Sequence, residues 1–375
     1  MNLLIHTPFF HPQVGGVENF THGLASELAR RGVCLRVVAE TPLAGQSEPE
    51  RSYQVIRPPY DRNAILDGVD ALLAIGPSTK LLGTARRMGV PYVLKHAAPA
   101  GACPIGIGWR NGASCDYSAL KCLGCRVSGQ SIAANIRSIA RFHRLRRGMK
   151  HAAQNIYNST YMAGRTPWCP GVVIPNFNDT GVFDANHETA PEPVFLFVGR
   201  LVSIKGVDIA IRGFAAARRR GLTHRFRVVG DGPYRSSLEQ LAADEGVADA
   251  VEFLGVRRGT ELARLYQSAA ALLFPSQWEE PFGIVMAEAM GCGCPVIASG
   301  HGSCPEVVGE TGLLVNPPGD PAAWSNAMLQ LATDQSHRNN LGKLAFDRAA
   351  RLFSLKAVCD QYLELLKSAT DRRAH

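Results

Sequence analysis

The chain has 375 residues, enough for two domains of ordinary size, since a typical domain has about 100–150 residues. Its composition, 46% hydrophobic and 19% charged, is that of a soluble globular protein. No apolar run approaches the roughly 20 residues that cross a bilayer, and MNLLIHTPFF has no basic leader, which together predict a cytoplasmic protein. The net charge of +8 indicates an anionic partner: nucleic acid, an anionic membrane surface or a phosphorylated substrate.

Apolar runs typical of strands alternate with helical patterns along the whole chain. MNLLIH precedes a helical pattern from Val17 to Arg31, and CLRVVAE follows as the next strand. The polar, proline-containing segment 179–193 indicates a linker, after which the alternation starts afresh. The sequence therefore predicts an α/β fold made of two doubly wound Rossmann-like domains that face a central cleft.

Cations follow the first strand of the second half, in VFLFVGRLVSIKG. Gly199 and Arg200 come directly after VFLFV, and Lys205 lies five residues further on. Glycine lets a ligand approach the backbone, arginine can grip two phosphate oxygens, and lysine adds a point charge. The segment alone fits an anion-binding loop and a solvated basic loop about equally well.

The next strand ends in a glycine-rich turn, FRVVGDGP, at residues 226–233. Gly230 and Gly232 are followed by Arg235 where the dinucleotide fingerprint needs a third glycine. The pattern therefore indicates an ordinary strand-to-helix turn at the cleft rather than an NAD site.

Two carboxylates bracket an apolar segment in EEPFGIVMAE. Pro281 suits the first turn of a helix, which would place Glu280 before the helix and Glu288 on its second or third turn. The free N–H groups at the start of such a helix form an anion site, and ribose hydroxyls would partner Glu288. Taken singly, each glutamate is better explained as a capping carboxylate or an exposed helical residue.

In combination, these segments resemble the donor-binding half of a GT-B glycosyltransferase, within the retaining family 4 (glycosyl transferases group 1). The resemblance rests on Gly199-Arg200 with Lys205, on GDGP, on the two glutamates seven residues apart, and on GCPVIAS and GETGLLV. The first half matches in Gly15-Gly16-Val17-Glu18. The resemblance implies an acceptor-binding domain at 1–178, a nucleotide-sugar domain at 190–354, and C-terminal helices from about 355 to 375 that pack back on the first domain.

The resemblance also implies roles for individual residues. It implies nucleotide-sugar contacts at Gly16, Gly199, Arg200, Lys205, Phe282, Gly283, Ile284, Val285 and Glu288. It implies catalytic roles for Arg200, Lys205, Glu280 and His96, the last being a histidine at a strand tip in PYVLKHAAPA. The base would lie near Gly255 to Arg258, with UDP favoured over GDP. The sequence has no D-x-D pair for Mg²⁺ or Mn²⁺, so no catalytic cofactor is expected.

Four cysteines lie close together at Cys103, Cys115, Cys122 and Cys125. Four thiolates at this spacing favour a structural zinc site that staples a glycine-rich loop. Redox-active thiols and reduced bystanders are the alternatives. A zinc ion here would not be catalytic.

A basic amphipathic segment, RSIARFHRLRRGMK, spans residues 137–150. Such a helix can lie on an anionic membrane or bind an anionic glycan, and it can equally be an exposed helix that packs its apolar side on its own domain. Nucleic acid is not expected, because no stacking aromatic residues alternate with the cations.

The sequence thus predicts a retaining, metal-independent glycosyltransferase that moves a sugar from a nucleotide-sugar to a hydroxyl of a glycan, lipid-linked or small-molecule acceptor. It would be cytoplasmic, or peripheral on the inner face of the membrane. A nucleotide-sugar 2-epimerase on the same fold and a non-catalytic nucleotide-sugar binding protein are the alternatives.

Overall fold

The structure is a computed structural model of the chain. It describes residues 1–11, 15–43, 48–76, 78–99, 102–103, 109–110, 113–114, 132–178, 181–183 and 192–371. The chain divides into two compact units. Unit 1 consists of Met1–Asn176 together with the C-terminal segment that begins at Leu355, and unit 2 is Phe177–Ser354.

Unit 1 is built on a parallel sheet of seven strands in the order β3-β2-β1-β4-β5-β8-β9. The strands are β1 Asn2–Thr7, β2 Cys34–Ala39, β3 Gln54–Ile56, β4 Ala71–Ile75, β5 Tyr92–His96, β8 Gln154–Tyr157 and β9 Val172–Val173. A separate antiparallel pair consists of β6 Trp109–Arg110 and β7 Ala113–Ser114. The helices are α1 Gly16–Arg30, α2 Thr79–Arg87, α3 Ile132–His151, α4 Thr160–Gly164 and, from the C-terminal segment, α12 Leu355–Asp371, with a 3₁₀ turn at Ala64–Leu66.

Unit 2 is built on a parallel sheet of six strands in the order β12-β11-β10-β13-β14-β15. The strands are β10 Val194–Val198, β11 Arg225–Val229, β12 Val251–Gly255, β13 Ala271–Phe274, β14 Val296–Ser299 and β15 Gly312–Val315. The helices are α5 Val207–Arg219, α6 Arg235–Asp244, α7 Gly259–Ser268, α8 Ile284–Gly291, α9 Cys304–Val308, α10 Pro321–Thr333 and α11 Gln335–Leu352, with a 3₁₀ turn at Ser203–Lys205.

Strand β10 shows why the alternation of the sequence folds this way. Its side chains point alternately into two apolar cores, Phe195 and Phe197 into one and Leu196 and Val198 into the other. A strand that is covered on both sides reads as a continuous apolar run, which is typical of parallel sheets between helical layers. The predicted α/β class, with two doubly wound units, is confirmed.

The strand order of each sheet fixes where a ligand can bind. In unit 1, β2 and β4 lie on opposite sides of β1, so the order of the strands reverses direction at β1. In unit 2, β11 and β13 lie on opposite sides of β10 in the same way. At such a switch point the loops that follow the central strands diverge and leave a crevice at the carboxyl ends of the strands. The loops after β1, β4 and β5, and after β10, β13 and β14, are therefore the places to look for functional groups.

Unit 1 also buries a lysine in its core. Lys95 on β5 is 1% exposed, and its ammonium donates to Oδ1 of Asn158 at 2.6 Å. The same ammonium lies 4.3 Å from the ring centroid of Phe20 on α1 and 5.7 Å from that of Tyr362 on α12. Burial lowers the pKa of Lys95 from 10.5 to about 7. The C-terminal helix α12 thus closes over a titratable group in the core of unit 1.

This burial predicts a pH-dependent stability. Between pH 7 and about 10 the unfolded chain holds a proton on Lys95 that the native chain has largely released, so the free energy of unfolding should rise with pH across this window. Lys95→Met keeps an unbranched side chain at the position and removes the titration. Urea unfolding at a series of pH values should show that the stability of the wild type relative to that of Lys95→Met increases as the pH rises through this window.

The exposed Lys80 on α2 provides the control. Lys80→Met is measured over the same pH series. Parallel profiles for wild type and Lys95→Met would show that the lysine keeps its charge in the core.

Candidate functional site

In unit 2, the loops after three neighbouring strands β10, β13 and β14 are tied together by hydrogen bonds. The 3₁₀ turn Ser203–Lys205 follows β10, and its Ile204 carbonyl oxygen accepts from the backbone N–H of Gln277, after β13, at 2.8 Å. The carbonyl oxygen of Ser276 in turn bonds to Nε2 of His301, after β14, at 2.8 Å. These bonds fix the loop backbones that carry the predicted donor-site residues.

The turn that holds Lys205 requires a glycine at its end. Gly206 has a left-handed backbone, with φ of +67°, and a Cβ at this position would overlap the carbonyl oxygen of Pro275. Helix α5 begins directly after it, at Val207. Gly206 thus brings the Lys205 turn into backbone contact with the loop after β13.

The GDGP turn packs on the neighbouring strand tip. A Cβ at Gly230 would overlap the carbonyl oxygen of Gly199, and a Cβ at Gly232 would overlap that of Leu201. The backbone N–H of Leu201 donates to the carbonyl oxygen of Asp231 at 2.9 Å. The two glycines are therefore explained by close backbone packing that supports the Gly199-Arg200 loop.

Lys205 and Glu280 form an ion pair at the centre of these loops. Nζ of Lys205 donates to Oε1 of Glu280, and Oγ of Ser276 donates to the same oxygen at 3.0 Å. Glu280 is 4% exposed, and its carbonyl oxygen accepts from the backbone N–H of Ser303 at 3.1 Å. A buried carboxylate is stable only when paired and hydrogen-bonded, and here both conditions are met. The structure thus brings together two residues to which the sequence analysis gave catalytic roles.

Arg200 differs from Lys205 in its surroundings. It follows the tip of β10, its side chain is exposed, and its guanidinium makes no ion pair or hydrogen bond with any residue that the structure describes. A cation held at a strand tip without a protein partner is free to bind an anionic ligand.

Helix α8 begins at Ile284. Its N-cap is Gly283 and its first residue Ile284, so Pro281 precedes the helix and does not form its first turn; that prediction was wrong. Pro281 could not donate a backbone hydrogen bond in any case, and the left-handed Gly283 sets the start of the helix. The N–H groups at this end lack intrahelical partners. The ring of Phe282 is buried, 5.4 Å from the ring of Phe353, so that only the backbone of Phe282 is available for contact with a ligand.

Glu288 lies on the second turn of α8, as predicted, and the structure gives it a protein partner. Oη of Tyr266 on α7 donates to Oε2 of Glu288 at 3.1 Å. Burial, and then the neighbouring Glu288 carboxylate, raise the pKa of Tyr266 well above its ordinary value. The phenol therefore remains a hydrogen-bond donor and orients the carboxylate.

In unit 1, a pocket opens at the carboxyl ends of the strands. It has a volume of about 180 Å³ and includes His96 in its wall. The residues around it are Pro8, Phe9, Val17, Ile75, Gly76, Leu94, His96, Ala97, Ala98 and Leu145. The predicted histidine at a strand tip thus faces a concave site.

Contacts on β8 hold His96 in place. Its ring stacks on Tyr157 with 4.8 Å between the ring centroids, and its Nε2 lies 2.9 Å from Oδ1 of Asn155. The Asn155 amide nitrogen donates to the carbonyl oxygen of Met149, so Oδ1 must face the imidazole and accept from Nε2–H. Burial lowers the pKa of His96 to about 4, which makes the ring neutral at physiological pH. Nδ1 is left as a hydrogen-bond acceptor.

The remaining predicted residues are placed as follows. Gly16 is the exposed first residue of α1, and a Cβ there would meet nothing within 4 Å. Cys103 is buried, whereas Cys115, Cys122 and Cys125 lie outside the described residues. Within the described ranges, no group of three or more His, Cys, Asp or Glu side chains could hold a metal ion.

The basic segment lies on helix α3. Leu145 and Met149 are buried in the core of unit 1, and Arg146 lies 4.0 Å from the ring centroid of Trp168. The exposed cations are Arg137, Arg141, Arg144, Arg147 and Lys150. The apolar side of the helix therefore packs on its own unit, and the side left in solvent is basic. Among the described helices, none combines the length and apolar character needed to cross a membrane.

Three supporting residues were missed in the sequence. Tyr266 has the spacing of a core aromatic residue on α7, so the sequence gives no sign that its hydroxyl has a role in the site. Ser276 and His301 follow apolar strands, so the strand-tip rule that identified Arg200 could have found them too.

Comparison with solved structures identifies the fold. Sucrose-phosphate synthase from Thermosynechococcus elongatus superposes with a TM-score of 0.75 at 21% identity, over 98% of both chains. HepE from Anabaena, in complex with UDP and glucose, gives a TM-score of 0.73 at 20% identity, over 98% of this chain and 100% of that one. The chain has the fold of the GT-B glycosyltransferases, as the sequence predicted.

Comparison of sequences finds a similarity to a known family in unit 2. Residues 182–348 match the family of glycosyl transferases group 1, which confirms the resemblance for this part of the chain. D-inositol 3-phosphate glycosyltransferases are similar to the chain: that of Stackebrandtia nassauensis is 38% identical over 189 residues, 48% of this chain and 42% of the relative. The enzyme of Corynebacterium aurimucosum is 38% identical over 176 residues, which are 45% of this chain and 41% of that relative. The alignments thus span less than half the length of these curated relatives.

The position of Gly206 yields a test of the site's backbone. Gly206→Ala should destabilise the protein by more than the roughly 1 kcal/mol of an ordinary left-handed glycine, because the new Cβ also displaces the loop after β13. Gly246→Ala is the matched control, since Gly246 has φ of +71° and open space around its Cα. Equal losses of stability by urea unfolding would show that the two loops are not packed as described.

Proposed function

We propose that the protein is a retaining glycosyltransferase that moves a sugar from a nucleotide-diphosphate sugar to a hydroxyl group of an acceptor. The observation that carries this proposal is the Lys205–Glu280 ion pair beside the strand tips of unit 2. Arg200, which pairs with no described residue, lies on the same loop as Lys205, and α8 begins four residues after Glu280. The family match of residues 182–348 and the fold support it.

The chemistry of the leaving group explains this set of residues. A nucleoside diphosphate leaves readily only if the charge that develops on its phosphate oxygens is stabilised. Arg200 and Lys205 supply two cations, and the first N–H groups of α8, at Gly283, Ile284 and Val285, would supply hydrogen bonds to an anion. Because the sequence has no D-x-D motif, we assign this charge stabilisation to protein groups alone.

The proposed reaction is a front-face transfer. The bond from the anomeric carbon to the β-phosphate oxygen breaks, and the acceptor oxygen forms its bond on the same face. The acceptor proton passes to the departing phosphate oxygen, so the configuration is retained without a covalent intermediate. Glu280 would accept hydrogen bonds from the transferred sugar, and Glu288, oriented by Tyr266, would accept them from the ribose hydroxyls.

UDP is the favoured nucleotide, since the similar structure of HepE was determined with UDP-glucose, and GDP is the next candidate. Glycans, lipid-linked molecules and small molecules remain candidate acceptors. Inositol 3-phosphate, named in the curated relatives, is the phosphorylated candidate among the small molecules.

The donor site is tested by binding. Calorimetry and thermal shift against a panel of UDP- and GDP-sugars should identify one donor, and Arg200→Ala and Glu288→Ala should each weaken its binding at least tenfold. Turnover in Arg200→Ala should fall by on the order of 10²–10³ if it stabilises the leaving group. Arg219→Ala is the control, since this exposed arginine lies at the far end of α5 from Lys205. A donor that binds both site variants as tightly as the wild type would disprove the assignment.

A second variant separates binding from chemistry. Glu280→Gln keeps the shape and the hydrogen bond from Ser276 but removes the negative charge, so the donor should still bind while kcat falls by about 10² or more. Lys205→Ala should lose both donor binding and turnover. An equal loss of affinity and turnover in Glu280→Gln would show that the carboxylate only shapes the loop.

Two further outcomes test the alternative functions. Formation of product from the nucleotide-sugar without any acceptor would indicate a 2-epimerase. Binding of the nucleotide-sugar without any turnover would favour a non-catalytic binding protein.

We also propose peripheral contact of α3 with anionic membranes, supported by its exposed basic side. Since Leu145 and Met149 are buried in unit 1, this contact would be electrostatic and sensitive to salt. Replacing Arg141 and Arg144 by glutamine should abolish co-sedimentation with vesicles that contain phosphatidylserine. Binding that persists at high salt, or in the double variant, would contradict this contact.

A further inference from the structure

Tyr266 carries a hydroxyl group into the apolar core of unit 2. Its side chain, on α7, is 0% exposed, and its ring centroid lies 5.9 Å from that of Phe183, with the two ring planes at 69°. The hydroxyl reaches the half-buried Glu288 on α8 and donates to its Oε2 at 3.1 Å. A buried tyrosine hydroxyl requires a partner of this kind. The ring of Tyr266 therefore belongs to the core, and its hydroxyl belongs to the donor site.

The contact restrains a side chain that would otherwise be mobile. Glutamate is among the residues that lose the most rotamer freedom when a contact fixes them. Tyr266 cannot move to follow the carboxylate of Glu288, because its ring is packed among the apolar side chains of unit 2. The rigid phenol therefore fixes Oε2 of Glu288 before any ligand binds, which is the condition for preorganised recognition.

The direction of this hydrogen bond is also fixed. An ionised carboxylate can only accept, so the proton of the bond is that of the Tyr266 hydroxyl. The two oxygens of a carboxylate have about four lone-pair positions, and the phenol takes one of them on Oε2 of Glu288. Tyr266 thus sets the orientation in which the carboxylate meets any further donor.

This restraint bears on how a nucleotide is selected. A site built to hydrogen-bond a hydroxyl rejects an analogue without it, because the polar group of the site then loses its donor. A mobile carboxylate would avoid this loss by turning back into water. Glu288 is tied to Tyr266 and cannot turn, so a nucleotide without the hydroxyl gives it no donor. Rejection of the analogue therefore depends on the phenol.

We propose that Tyr266 is a positioning residue that makes the donor site selective for ribonucleotides over 2′-deoxyribonucleotides, by holding the carboxylate of Glu288 in place for the ribose hydroxyls. That Glu288 meets a ribose rests on the proposed function. The dependence of the selectivity on Tyr266 goes beyond that function and is tested separately from it.

Two conservative variants isolate the hydroxyl. Tyr266→Phe keeps the buried ring and removes only the donor to Glu288. Tyr362→Phe is the matched control: Tyr362, on α12 of unit 1, is also 0% exposed, and its hydroxyl has no hydrogen-bond partner among the described residues. Each variant removes one buried hydroxyl oxygen, and only Tyr266→Phe changes the surroundings of Glu288. Circular dichroism melting checks that both variants are folded.

Calorimetry on the full chain measures the Kd of UDP, 2′-deoxy-UDP, GDP and 2′-deoxy-GDP. For the nucleotide that the wild type prefers, we expect wild type and Tyr362→Phe to bind the ribonucleotide about tenfold or more tightly than its deoxy form. In Tyr266→Phe the ratio should fall below about threefold, because the ribonucleotide binds more weakly while the deoxy form is unaffected. In a Glu288→Ala background, Tyr266→Phe should have no further effect on the ratio, since the two residues act as one unit.

Three results would overturn the proposal. They are a wild type that does not distinguish the two sugars, an unchanged ratio in Tyr266→Phe, and an equal loss of affinity for both nucleotides in that variant. The last result is what a purely structural role of the ring and hydroxyl would give. Absence of binding of all four nucleotides to the wild type would overturn the proposed donor site and the role of Tyr266 with it. Binding with an unchanged ratio would overturn the role of Tyr266 alone and leave the donor site standing.

Discussion

The ion pair between Lys205 and Glu280 is the interaction on which the geometry of unit 2 depends. Glu280 is buried, and an unpaired carboxylate there would cost several kcal/mol in desolvation. Lys205 and Ser276 remove that cost by donating to the same oxygen, and in doing so they join the loops after β10 and β13. The backbone of Ser303 adds the loop after β14. Charges that a ligand would need are thus already positioned in its absence, which is the condition for electrostatic stabilisation without reorganisation.

The parts of this arrangement that follow from local pattern could be predicted. VFLFV had to be a strand buried on both sides, and the residues after it had to lie at the carboxyl edge of the sheet, which places Arg200 and Lys205 correctly. What could not be predicted is which side chains meet across the sheet. The hydroxyl of Tyr266 reaches Glu288 from a different helix. Lys95 lies beside rings on α1 and α12, and the ring on α12 belongs to a residue more than 250 positions further along the chain. The prediction that Pro281 lies in the first turn of the helix was wrong because proline suits both the first turn and the loop before it. The position of Gly283 decides where the helix starts.

The two units present opposite chemistry at equivalent places in their sheets. Each has a site at the carboxyl ends of the strands beside its switch point. In unit 2 the groups there are cations, helix N–H groups and oriented carboxylates, which suit a charged and polyhydroxylated molecule. In unit 1 they are hydrocarbon side chains around a neutral imidazole. One architecture thus carries two kinds of surface chemistry, because the sheet fixes only the location of the loops and the loop residues determine the chemistry.

The placement of α12 has a consequence for how the chain folds during synthesis. Helix α1 of unit 1 precedes unit 2 in the chain, yet it packs against Leu355–Asp371, with the ring of Phe20 6.0 Å from that of Tyr362. Domains generally fold in the order in which they leave the ribosome. Here unit 1 lacks one of its helices until the whole of unit 2, which is complete at Ser354, has been synthesised. The nascent chain must therefore hold the apolar side of α1 uncovered while the later unit folds, and chaperone contact with α1 is the physical expectation for that interval.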